Sequence, residues 1–227
     1  MTRLRAWLDG LKLVTEDQLR GLLWTGGALL FLGLFVKVTW ELREDSDLDS
    51  LDRTILAFIS DHRVSALNGP AVDLTALGSV TVITLFTVIG AVLLWLGGDR
   101  RASAYLAIGS AGAGVATLAF KGIFTRERPA LALRLVQSSG FSYPSGHSLA
   151  ATSFYLLVMF LAWRRFPSWR ARAVLAGCAA TVIGGVCFSR LYLGVHYPSD
   201  VVSGAFVGAA WAFFLTAWFS RPARAAR

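Results

Sequence analysis

The sequence predicts an all-α, polytopic membrane protein, a bundle of six transmembrane helices. Its 227 residues are 55% hydrophobic, with a mean hydropathy of +0.57 and eight Trp, which is too apolar for a soluble domain of this length. The apolar residues gather in six runs, at roughly 21 to 40, 79 to 97, 103 to 124, 147 to 163, 173 to 189 and 200 to 219. Each approaches the ~20 residues that cross a bilayer. Lys and Arg recur in every second connection, as the alternation of a multi-pass chain requires.

Taken in order, residues 1 to 20 place Leu4, Trp7, Leu8 and Leu11 at helical spacing among Arg3, Arg5 and Lys12. That pattern predicts an amphipathic segment lying on the cytoplasmic membrane surface. The first apolar run starts too late for a signal peptide, is long enough to span, and has no small-residue cleavage pattern after it. Residues 41 to 53, ELREDSDLDSLDR, hold six carboxylates and two arginines, and residues 54 to 78 are apolar but broken by Asp61, His62, Arg63 and Asn68-Gly69-Pro70. The stretch 41 to 78 is therefore read as an outer-face loop with short helices, and His62 as a solvated residue. The spans over 21 to 219 form one membrane domain, and 220 to 227 a cytoplasmic tail. Gly109, Ser110, Ala113 and Gly114 in the third span, and Gly204 with Gly208 in the sixth, suit close helix packing.

Orientation follows from the cations. Arg3, Arg5, Lys12 and Arg20, then Arg100 and Arg101, then Arg164, Arg165, Arg170 and Arg172, then Arg221, Arg224 and Arg227 all fall on one side of six spans. Both termini are expected in the cytoplasm. Trp24, Trp40, Trp95, Trp163 and Trp218 fall near span ends, as in an aromatic belt. The net charge of +8 points to anionic lipid headgroups rather than nucleic acid, given so many apolar segments. Cys178 and Cys187, nine residues apart on one helix and so about 13 Å apart along its axis, cannot pair with each other.

With this topology, KGIFTRERP (121 to 129), YPSGHS (143 to 148) and SRLYLGVHYPSD (189 to 200) all reach the outer face. Ionisable residues at membrane depth are costly and therefore functional hypotheses. Lys121, Arg128 and Arg190 are cations in or near apolar surroundings, and guanidinium forks suit phosphate oxygens. Arg126 and Arg134 are read as surface residues, with Glu127 paired to a neighbour. Ser145, Gly146 and His147 sit where a helix begins, so their amides would face an anion at the positive end of its dipole, and Gly146 permits close approach. His147 and His196 supply the chemistry of phosphoryl transfer. His196 and Asp200 are four residues apart; if helical they share a face, with Asp200 accepting from Nδ1 and Nε2 left to attack phosphorus. A zinc site of His147, His196 and Asp200 is disfavoured, because three nearby cations would repel a divalent ion.

The pattern K-x6-R-P (Lys121, Arg128, Pro129), P-S-G-H (Pro144 to His147) and S-R-x5-H-x3-D (Ser189, Arg190, His196, Asp200) resembles the three-part signature of the type 2 phosphatidic acid phosphatase superfamily. All eleven specified positions match, and LTALGS (74 to 79) is also similar to the family. The resemblance implies a helical bundle that hydrolyses lipid phosphates without metal or other cofactor, at a site facing away from the cytoplasm. It makes His196 the nucleophile that forms a phosphohistidine, Asp200 its orienting partner and His147 the general acid. It makes Lys121, Arg128, Ser145, Gly146 and Arg190 the phosphate-binding residues. The expected substrate is a membrane lipid monophosphate or pyrophosphate, such as undecaprenyl pyrophosphate, phosphatidylglycerol phosphate, phosphatidic acid or a lipid A phosphate. Vanadate-dependent haloperoxidase chemistry and a non-enzymatic anion- or lipid-binding protein are the competing expectations. The spans argue against the first and the His–Asp pair against the second.

Overall fold

The computed structural model describes residues 16–44 and 46–220. Among these residues the α-helices are α1 (Glu16–Glu44), α2 (Ser46–Asp61), α3 (Asn68–Ala76), α4 (Val80–Leu96), α5 (Arg100–Ile123), α6 (Gly146–Trp163), α7 (Trp169–Tyr192) and α8 (Pro198–Ser220), and there is no strand. Most of the segment expected to be amphipathic over 1 to 20, and all but the first residue of the tail, fall outside them.

Side-chain caps mark four of the starts. Ser79 accepts from Val82 N (3.3 Å), Asp99 from Ala102 N (3.0 Å), Ser145 from Ser148 N (3.4 Å) and Ser168 from Ala171 N (3.3 Å), each satisfying an amide that the first turn leaves unpaired. α8 opens on Pro198, whose missing N–H is no loss in a first turn. Gly194, at φ 70°, turns the chain between α7 and α8 in a conformation that only glycine adopts freely.

Five helices are long and apolar enough to cross a membrane: α1, α5, α6, α7 and α8. The expected second span is the shorter α4, whose 17 residues reach about 25 Å. With the segment Ser65–Ala76 it forms a pair bent by 45° that passes as a sixth crossing. The chain is thus a multi-pass, all-helical membrane protein.

The bundle is centred on α6 and α8. Half of the apolar window of α6 and 56% of that of α8 are buried, against 11% in both α1 and α7. Phe154, Leu157, Phe160, Ala212 and Leu215 form the core between them. The outer helices instead expose Leu22, Leu29, Leu85, Leu93, Leu118 and Val174, an apolar perimeter that suits lipid. α8 comes close to α6 because a Cβ at Gly204 would press on the Ser145 carbonyl, and one at Gly208 on the Leu149 carbonyl. Gly109 lies under Leu157 and Leu215 in the same way. Gly114 departs from the packing expectation: it is exposed with nothing within 4 Å, and Gly112, two residues earlier and so on nearly the opposite face, meets Trp211 instead. Trp24 also departs from the aromatic belt, turning inward onto Phe160 (4.7 Å between centroids), whereas Trp40, Trp95 and Trp218 are exposed. Cys178 and Cys187 are both free thiols.

Candidate active site

The three sequence-distant motifs meet at one end of the bundle, formed by the C-terminal ends of α5 and α7, the N-terminal ends of α6 and α8, and the loop from 124 to 145. α2 and α3 pack beside this end, against α7 and, for α2, α8.

His196 is 2% exposed and Asp200 fully buried. His196 Nδ1 lies 3.4 Å from Asp200 Oδ2 and 3.3 Å from Ser142 Oγ. The shared helical face expected for this pair is not how they meet. His196 precedes α8, in the turn closed by Gly194, and Asp200 folds back from the first turn of α8 to accept the Tyr197 amide (2.8 Å). Ser142 Oγ donates to the same Oδ2 at 2.5 Å. With Asp200 accepting from Nδ1, the other ring nitrogen is left as an acceptor, and it faces Arg128 Nη1 at 3.1 Å. Burial foremost, with Arg190 and Arg128 adding to it and Asp200 opposing, holds the His196 pKa down to about 4. The imidazole is therefore neutral near pH 7, the form in which Nε2 has a lone pair to give.

Arg128 is held by carbonyls: Nε donates to Gly140 O (2.9 Å), Nη1 to Val195 O (2.8 Å) and Nη2 to Ser139 O (3.1 Å). Burial pulls its pKa down, against the pull of Asp200. Lys121, in the last turn of α5, donates to Phe141 O (2.7 Å). Arg190 is 5% exposed, with Nη1 donating to Thr75 Oγ1 (2.8 Å) and Nε buried without a partner. An unsatisfied guanidinium N–H beside two further cations is a strong demand for an anion.

The helix start contributes more narrowly than expected. Ser145 N is occupied by the Asp200 carbonyl (2.9 Å), so this amide stitches α6 to α8 and does not face a ligand. The Ser145 hydroxyl accepts from Ser148 N and from Ser148 Oγ (3.0 Å), keeping its own proton to donate. The amides of Gly146 and His147 have no acceptor among the described residues. A Cβ on Gly146 would lie 2.8 Å from Thr117 Cγ2 and 3.9 Å from Lys121 Cε, so the glycine lets α5 and the helix start close together. The His147 ring makes no hydrogen bond among the described residues, and Arg190, His196, Arg128 and Lys121 all lie within electrostatic reach of it. All eight residues singled out from the sequence thus fall in one cluster.

Arg126 is not a surface residue. Its side chain is 18% exposed and forms ion pairs with Asp200 Oδ1 (2.8 Å), Asp52 Oδ2 (2.8 Å) and Asp49 Oδ1 (2.9 Å). Although burial works against it, these carboxylates raise its pKa above the ordinary arginine value. Arg134 is also committed, donating from Nε to Pro129 O (2.7 Å), and Glu127 is exposed with no ion pair among the described residues. His62 is exposed and stacks on Phe58 (4.2 Å), apart from the cluster. Arg126, Asp49, Asp52, Ser142, Ser199 and Thr75 lie at the site without being among the specified motif positions. The R-x-R-P spacing and the Thr of LTALGS were the available signals for two of them.

Together the fold and the site define an integral-membrane helical bundle with a cluster of cations built around a buried His–Asp pair. Residues 102–224, more than half of the chain, match the PAP2 superfamily, and the chain belongs to that family. It is 37% identical over 87 residues to phosphatidylglycerophosphatase B of Bacillus subtilis strain 168, covering 37% of this chain and 41% of that protein. It is 32% identical over 131 residues to decaprenylphosphoryl-5-phosphoribose phosphatase of Mycobacterium tuberculosis, covering 55% of this chain and 64% of that one. These matches span less than two thirds of the relatives' own lengths. The fold is shared with the crystal structure of a transmembrane PAP2-type phosphatidylglycerolphosphate phosphatase from Bacillus subtilis, at a TM-score of 0.80 and 23% identity over 88% of this chain and 99% of that one.

Proposed function

We propose that this chain is an integral-membrane lipid phosphatase that hydrolyses the phosphate monoester or pyrophosphate of a membrane lipid through a phosphohistidine on His196. One observation carries the reading: His196 Nε2 faces Arg128 at 3.1 Å while Nδ1 is turned toward Asp200, inside a cluster of cations that includes the unsatisfied Nε of Arg190. Names such as phosphatidylglycerophosphatase B and decaprenylphosphoryl-5-phosphoribose phosphatase among the relatives support a phosphorylated lipid as substrate.

In this mechanism Lys121, Arg128, Arg190, the Ser145 hydroxyl and the Gly146 and His147 amides hold the phosphoryl oxygens. His196 Nε2 attacks phosphorus, forming an N–P bond as the P–O bond to the lipid breaks. His147 donates a proton to the departing oxygen and then takes one from the water that attacks the phosphohistidine, releasing phosphate and restoring both imidazoles. Asp200 stabilises the proton on Nδ1 throughout. The charge that stabilises the five-coordinate transition state belongs to fixed side chains.

The site belongs on the outer face of the membrane, with both termini cytoplasmic. In support, Arg20, Arg101, Arg164 and Arg172 line one cavity of about 910 Å³ at the end of the bundle opposite the motifs, where cytoplasmic cations collect. The test is phosphate release by purified protein from a panel of lipid monophosphates and pyrophosphates in the presence of chelator. Release by wild type and none by His196→Ala is expected; activity that vanishes with chelator and returns with a divalent metal refutes the roles assigned.

A further inference from the structure

Asp200 has two oxygens; the Arg126 side chain holds one, and the other is held by Ser142, which is tied to the Arg126 main chain. Oδ1 accepts from Arg126 Nη1 at 2.8 Å. Oδ2 accepts from Ser142 Oγ, and Ser142 is itself placed by its amide, which donates to the Arg126 carbonyl at 2.8 Å. The guanidinium is over-determined in turn. Nη1 also donates to Ser199 Oγ (2.8 Å), Nη2 donates to Asp49 and Asp52, and the group lies over the Tyr197 ring at 4.3 Å. Asp52, 1% exposed, accepts from both the amide and the hydroxyl of Ser199, so α2 is pinned to the first turn of α8 at the residue immediately before Asp200.

We propose that Arg126 is a positioning residue for the phosphoryl-transfer site: its guanidinium holds Oδ1 of Asp200, which keeps Oδ2 turned toward Ser142 and His196 Nδ1, so that Nε2 is aimed into the cation cluster. This rests on His196 being the nucleophile. A carboxylate free to turn would share its lone pairs among several donors, and the His196 ring would turn with it. The forked, planar guanidinium is suited to the task because one group reaches Asp200 and α2 together; a lysine ammonium cannot span both. Arg126 also sets how much negative charge His196 feels. The groups around that ring are Asp200 from α8, Arg190 from α7, Arg128 from the loop after α5 and His147 from α6, with Lys121 at the end of α5 in the same cluster. Asp200 is the one acid among them, and Arg126 is its direct counter-ion. Without that counter-ion, the carboxylate pulls harder on the imidazole proton, and the neutral nucleophile is present only at higher pH.

The experiment uses the full chain in detergent micelles, with a short-chain phosphatidic acid as probe and kcat and KM measured across pH. In Arg126→Met, kcat should fall ten-fold or more with KM within about two-fold, and the acid limb of kcat/KM should move up by about one pH unit or more. Arg126→Lys, which keeps the charge and loses the fork, should hold the limb near its wild-type position while kcat remains reduced. A rate lowered equally at every pH in Arg126→Met, with the limb unmoved, would overturn the proposal and leave Arg126 a structural tie. If Arg126→Met does not yield monodisperse protein, Arg126→Lys decides: wild-type kcat and an unmoved limb refute the positioning role. His196→Ala is run in parallel. Near wild-type turnover there defeats the nucleophile assignment itself, whatever the Arg126 variants do.

Discussion

Replacing Asp200 by Asn changes one atom and tests the whole arrangement. Asp200 accepts from Arg126 Nη1, Ser142 Oγ and the Tyr197 amide, and it faces His196 Nδ1. An amide cannot serve all of these, since half of it is a donor. With the NH2 at the Oδ1 position, it opposes Arg126 Nη1, donor against donor. With the NH2 at Oδ2, it opposes the Tyr197 N–H and offers a proton to His196 Nδ1, which must then accept. The imidazole proton moves to Nε2, and the nucleophilic lone pair is lost. Loss of the correct tautomer in a His–carboxylate site costs about 10³ to 10⁴ in kcat, or about 4 to 5.5 kcal/mol of transition-state stabilisation. The fold should survive, because Arg126 keeps Asp49 and Asp52 as counter-ions. The assay is phosphate release from a short-chain lipid phosphate, beside size-exclusion and thermal-unfolding controls. A kcat within ten-fold of wild type would refute the reasoning, for then the tautomer is not set by Asp200.

Gly204→Ala should cut kcat by about ten-fold to a hundred-fold, because the new Cβ presses on the Ser145 carbonyl and lies 3.2 Å from Ser148 Cβ, parting α6 from α8 across the Ser145 N–Asp200 O bond. Gly114→Ala, with nothing within 4 Å, is the control and should be silent; equal loss in both would discredit the packing argument. Stability should fall with pH below about 6.5, since the His196 pKa is held at about 4 in the folded state and the unfolded chain takes up the proton first. The His196 share of this loss is complete near pH 4 and amounts to about 3 kcal/mol. His196→Gln should make that slope shallower in thermal unfolding followed across this range, and an unchanged slope would show that His196 carries none of it.

Sequence alone determined the parts of this protein that depend on local chemistry. Apolar runs of near-bilayer length mark the spans, because hydrocarbon accepts a backbone only when its polar groups bond within the helix. Ser79, Asp99, Ser145 and Ser168 each precede a run and cap it, a choice made within three residues. The motif spacings likewise bring Lys121, Arg128, His147, Arg190, His196 and Asp200 to the same end of adjoining helices, since each lies within a few residues of a helix end. What only the tertiary structure decided is the pairing of charges across long separations. Arg126 looked like a solvated arginine among RER, and its burial depends on Asp49 and Asp52 some 74 to 77 residues earlier and on Asp200 74 residues later. Ser145 looked like an anion-binding amide until the Asp200 carbonyl took it, which requires α6 and α8 to touch at Gly204. Periodicity reports which face of a helix is apolar, but not which neighbour covers it. A buried charge is satisfied by whichever partner the packing brings within hydrogen-bond distance, and that distance exists only once the helices have docked.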